Sequence, residues 1–154
     1  MIGVDIVDLQ QARLDSNWRR KGYLDKLFTA AEQLLIATAP EADVMVWLLW
    51  SMKESAYKID SRKTGLRSFA PIKLVCSKVV IDGQSATGMV RYGEGLYYTQ
   101  SELHQDYIRT IASGTPAALQ NADVKITGLF ADYKNSNPQC VSHHGRYLAL
   151  AFKC

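Results

Sequence analysis

The segment whose reading decides the fold is Trp50-Ser51-Met52-Lys53-Glu54-Ser55-Ala56-Tyr57-Lys58. It lies inside the longest helical pattern of the chain. Met45, Leu49, Met52, Ala56 and Ile59 recur in steps of four, three, four and three, the spacing of a core-facing stripe. Trp50, Glu54 and Lys58 are successive i, i+4 neighbours on a different face, with Trp47 beside them. Such a helix packs inward through one stripe and offers Glu54 and Lys58 through the other. Taken alone, Glu54 and Lys58 read as a solvated helical ion pair, stabilising by about 0.2–0.5 kcal/mol.

Working outward, Pro40 and Glu41 open this helix, which is expected to run to about Ser61. Asp60-Ser61-Arg62-Lys63-Thr64-Gly65 forms a basic exit with Gly65 as the stop. Thr29-Ala30-Ala31-Glu32 is a capping box that starts a short helix ending near Thr38. Gln10 to Lys26 is helix-prone but broken by Gly22, and it carries Arg13, Arg19, Arg20 and Lys21. A solvated face explains these cations, and a surface for an anionic partner is the sharper reading.

The chain opens with Ile2-Gly3-Val4-Asp5-Ile6-Val7-Asp8-Leu9, an alternating, β-branched run that predicts a strand. Asp5 is its odd member. It reads either as the water-facing residue of an edge strand or as a metal ligand on a rigid element. Asp8 stands where the strand should end and a turn begin.

Beyond Pro71 the pattern changes to strands. They are expected over Ile72–Ile81, Ser85–Tyr92, Gly95–Thr99, Asp106–Ala112, Asp123–Phe130 and Arg146–Phe152. Asp82-Gly83 supplies a hairpin turn, and Ser113–Asn121 and Asp132–Gln139 read as loops. One strand, then helices, then an antiparallel run predicts a single α+β domain over residues 1–154, with the N-terminal strand and helices packed on a mainly antiparallel sheet.

The totals agree. At 154 residues, 47% hydrophobic and 21% charged, the chain can bury a sizeable core. No apolar run approaches the ~18 residues of a membrane span. The opening lacks a basic n-region, so a cytoplasmic location is expected. Cys76, Cys140 and Cys154 are odd in number and contain no CxxC, which reads as free thiols rather than a disulfide or zinc framework. A net charge of +3 is too mild to argue for nucleic acid and suits phosphorylated or acidic partners.

Gly3-Val4-Asp5, followed by Trp50-Ser51-Met52-Lys53-Glu54-Ser55-Ala56-Tyr57-Lys58, resembles the paired signatures of the 4′-phosphopantetheinyl transferase superfamily. Phe28-Thr29-Ala30-Ala31-Glu32 resembles its F-T-x-x-E segment. Val141-Ser142-His143 with Arg146-Tyr147-Leu148-Ala149-Leu150-Ala151 is similar to the S-H element and closing strand of holo-acyl-carrier-protein synthases. The resemblance implies transfer of phosphopantetheine from coenzyme A to a serine of an acyl or peptidyl carrier protein, with Mg²⁺. It implies Asp5 and Glu54 as metal ligands, and Asp5, Glu54 and Lys58 as the catalytic group. It implies Lys53, Lys58, Gly65, Ser142 and His143 around the coenzyme A. An ordinary polar lead-in to a strand weighs equally for Ser142–His143.

Val7 stands where the longer branch has a third carboxylate. Together with the chain's length it points to the short holo-acyl-carrier-protein-synthase-like branch, associated with fatty acid biosynthesis, where sites form between the protomers of a trimer. Trp50-Ser51-Met52 looks more like the long branch. The alternative is a catalytically silent member that keeps the fold and binds coenzyme A or a carrier.

Overall fold

The computed structural model describes residues 1–128 and 131–153. The order is β1 (Ile2–Asp8), α1 (Leu9–Asp15), α2 (Tyr23–Leu27), α3 (Ala30–Thr38), α4 (Ala42–Thr64), a 3₁₀ turn (Pro71–Lys73), β2 (Val75–Asp82), β3 (Ser85–Tyr92), β4 (Gly95–Leu103), β5 (Tyr107–Ser113), α5 (Pro116–Gln120), β6 (Ala122–Gly128), β7 (Cys140–His144) and β8 (Tyr147–Lys153). Five strands form one sheet in the order β1-β5-β4-β3-β2, and three form a second, β6-β8-β7. All pairings are antiparallel. The expected α+β class is what the chain adopts.

The stripe Met45, Leu49, Met52, Ala56 and Ile59 is buried as its spacing requires, and α4 lies along one face of the large sheet. Gly3 permits this approach. A Cβ there would stand 2.0 Å from the Ser55 carbonyl oxygen of α4. The alternate residues of β1, namely Ile2, Val4 and Ile6, enter a second core with Ile111, Cys140, Ala149 and Ala151 beneath the small sheet. Strand β1 is therefore buried on both faces, which rules out a water-facing edge position for Asp5.

Several boundaries differ from expectation for local reasons. The helical segment 10–26 breaks at Gly22 as expected, with a left-handed φ of 85°, but α1 ends well before it because Ser16 is extended. Pro71 at the start of the 3₁₀ turn delays β2 to Val75. Thr115 caps α5 within an expected loop. Strand β7 falls where only the lead-in to a strand was expected, since His143 and His144 interrupt its apolar alternation. Residues 129 and 130 of the expected strand end lie outside the described residues.

Candidate active site

Strand β1, α4 and β7 converge on one cavity of ≈ 510 Å³. Asp5, Glu54, Lys58, Ser142 and His143 line it, together with His144, Trp47, Trp50 and Tyr23. Asp5 is 6% exposed. Its Oδ1 lies 3.5 Å from Lys58 Nζ and accepts from Ser142 Oγ at 3.4 Å. Its Oδ2 is buried without a hydrogen-bond partner. Lys58 Nζ also donates to the Val4 carbonyl at 2.7 Å. The lysine thus turns from the expected partner Glu54 towards β1.

Burial raises the Asp5 carboxyl above its ordinary value, with Lys58 and then the Ser51 hydroxyl opposing. Burial, with the Asp5 charge adding to it, pushes the Glu54 carboxyl up to about 7, with Lys58 pulling back. Two carboxyls raised by burial, with the Asp5 charge adding to the Glu54 shift and one Asp5 oxygen orphaned, form a site short of positive charge. Among the described residues no group of three or more His, Cys, Asp or Glu side chains could hold a metal unaided. Two carboxylates are the usual protein share for Mg²⁺, with phosphate oxygens and water completing the shell. The residues present therefore fit a divalent cation bound together with a phosphate-bearing substrate.

Lys53 does not join this group. It is fully buried on another face of α4, where Nζ donates to Glu32 Oε1, Leu27 O and Pro71 O, each at 2.8 Å. The ammonium also lies 5.0 Å over the Phe28 ring. Glu32 completes the capping box with Thr29 and accepts the Cys76 amide at 2.7 Å. Phe28, Thr29, Glu32 and Lys53 thus form one buried unit with every ammonium hydrogen used. That corrects the expectation of Lys53 beside the nucleotide. Gly65 caps α4 at φ 73° as expected of a helix stop, and it lies outside the cavity lining.

Chain order hid a second set of contacts. The amides of Ile2, Val4, Ile6 and Asp8 on the free edge of β1 donate to Gln139 Oε1, Cys140 Sγ, Ser142 Oγ and His144 Nδ1. Side chains, not backbone, cap this strand edge. His144 Nε2 faces Asp15 Oδ2 at 3.6 Å. Asp8 caps α1 and also accepts from Arg146 Nε at 2.9 Å and Nη2 at 3.1 Å. The adjacent His143-His144-Gly145-Arg146 was the available signal, but partners this distant in sequence do not show in local spacing. A second recess, lined by Arg20, Lys21 and Lys26, adjoins the cavity through their shared residues Tyr23 and Trp50.

A family model described as the 4′-phosphopantetheinyl transferase superfamily matches residues 1–119. The chain belongs to that superfamily. The match takes in both Asp5 and the Glu54 helix. Among solved structures, this superfamily member is similar to the Thermotoga maritima holo-[acyl-carrier-protein] synthase, with a TM-score of 0.51 and 11% identity, over 97% of this chain and 81% of that one. At that identity the likeness concerns the fold. No curated protein matches the sequence.

Proposed function

We propose that the chain transfers 4′-phosphopantetheine from coenzyme A to a serine hydroxyl of an acyl or peptidyl carrier protein, releasing adenosine 3′,5′-bisphosphate. The observation that carries this reading is the convergence of Asp5, Glu54 and Lys58, with Asp5 Oδ2 buried and unpartnered. Asp5 and Glu54 would hold Mg²⁺, which when bound neutralises charge on the diphosphate.

The remaining chemistry belongs to the chain's own residues. Glu54, on the cavity wall beside Asp5, takes the proton of the attacking serine. The serine oxygen bonds to the phosphorus bearing pantetheine as that phosphorus parts from the bridging oxygen. Lys58, fixed by the Val4 carbonyl, meets the charge left on the departing phosphate. Trp47, Trp50 and Tyr23 wall the cavity and limit water. His143, exposed on the cavity lining, would meet the nucleotide of coenzyme A. The Arg20–Lys21–Lys26 recess suits an acidic carrier. A trimer sharing sites between protomers belongs to the same proposal, and a fully active monomer in sedimentation would remove that part.

Titration calorimetry of coenzyme A with Mg²⁺ tests the reading. Binding that weakens at least about tenfold in Lys58→Ala, a charged hydrogen bond's worth, supports it. Absence of binding to the unaltered protein overturns it.

A further inference from the structure

Ser142 stands between two groups on β1. Its oxygen accepts the Ile6 amide at 3.2 Å, and it donates to Asp5 Oδ1 at 3.4 Å. It is 6% exposed, so water does not readily replace either contact. At the neighbouring rungs of the β1–β7 edge Gln139 Oε1, Cys140 Sγ and His144 Nδ1 each supply an acceptor, and the Cys140 thiol donates back only to the Val4 carbonyl, at 4.0 Å. The rung beside Asp5 carries a hydroxyl, which accepts from the strand and still has a hydrogen to give.

With Ser142 and Lys58 both on Oδ1, the Asp5 carboxylate is held in one orientation, leaving Oδ2 buried without a hydrogen-bond partner, near the likewise unpartnered Ser51 hydroxyl. We propose that Ser142 is a positioning residue that acts on the cation through Asp5, holding Oδ1 so that Oδ2 is presented to a divalent ion. This rests on the proposed metal-dependent function. It gives Ser142 a different task from contacting the nucleotide. Residues that orient a metal's carboxylate ligand commonly change its affinity by about 10–100-fold when removed.

The test uses Mn²⁺ as an electron-paramagnetic probe, titrated into the full-length protein with coenzyme A present. Ser142→Ala should weaken Mn²⁺ binding at least about tenfold. Ser142→Thr, which keeps the hydroxyl, should stay within about twofold of the unaltered protein, and coenzyme A affinity without metal should be unchanged in both. Should Ser142→Ala fail to fold, Ser142→Cys serves in its place, because it keeps an acceptor for the Ile6 amide but donates only weakly. Equal Mn²⁺ affinity in the unaltered protein and the hydroxyl-lacking variant overturns the inference and leaves the function standing. Loss of metal-free coenzyme A affinity in that variant would also overturn it, by making Ser142 a direct contact. No Mn²⁺ binding by the unaltered protein defeats the metal-dependent function itself.

Discussion

Asp5 has two oxygens in unequal circumstances: one is held by Ser142 and Lys58, the other is buried alone. Replacing it by Asn, or Glu54 by Gln, should lower kcat about 10²–10⁴-fold while circular dichroism stays unchanged. Glu54 also links pH to stability. Its folded carboxyl is raised to about 7, against about 4.3 in an unfolded chain. Between these values the folded state holds a proton the unfolded state has released, so stability falls as pH rises through the window. Urea unfolding without divalent ions should therefore show Glu54→Gln gaining on the unaltered protein between pH 5 and pH 8. A constant difference would contradict the raised affinity.

Asp8 has the opposite sign. Burial raises its carboxyl, but hydrogen bonds from the Arg146 side chain and backbone outweigh this and hold it well below the usual carboxylate range. Its contribution is present above about pH 3.9, the unfolded value, and fades as pH falls towards the folded one. Asp8→Asn keeps a capping side chain for α1 and removes the charge. The stability gap between this variant and the unaltered protein should narrow steadily from pH 5 to pH 2, as followed by denaturant unfolding.

Among the elements, the contact of β1 with α4 decides whether there is a site at all. Gly3→Ala would push a methyl group into the Ser55 carbonyl. It should cost about 1–3 kcal/mol and lower activity further by separating Asp5 from Glu54. Both are measurable on one sample by urea unfolding and turnover. Removing one partner of the Glu32–Lys53 pair, as in Lys53→Ala, should cost about 3–5 kcal/mol. The protein that remains folded should keep its coenzyme A affinity, because the buried Lys53 does not line the cavity. Adjacent residues of one motif thus have separate duties. Periodicity told Glu54 from the core stripe. It could not show that Lys53 reaches a buried carboxylate closing the α3 cap.

At the scale of the whole molecule, legibility followed sequence distance. Helix α4, the Thr29 cap and the Asp82-Gly83 hairpin rest on contacts within a few residues, and each stands where its local pattern put it. Strand β7 and its side-chain rungs on β1 join opposite ends of the chain, and no local pattern announces them. Asp5 was ambiguous for the same reason. Only when β5, α4 and the small sheet enclose β1 does its carboxylate become a buried charge with one idle oxygen. The gathering of Asp5, Glu54 and Lys58 is thus a product of the complete fold.

The most direct measurement is intact-mass spectrometry of apo carrier proteins of the acyl, polyketide and peptidyl types, incubated with this protein, coenzyme A and Mg²⁺. A gain of one phosphopantetheine on at least one carrier, abolished by chelator and by Glu54→Gln, is the predicted result. Coenzyme A binding with no mass gain on any carrier would contradict transfer and identify a silent member of the superfamily.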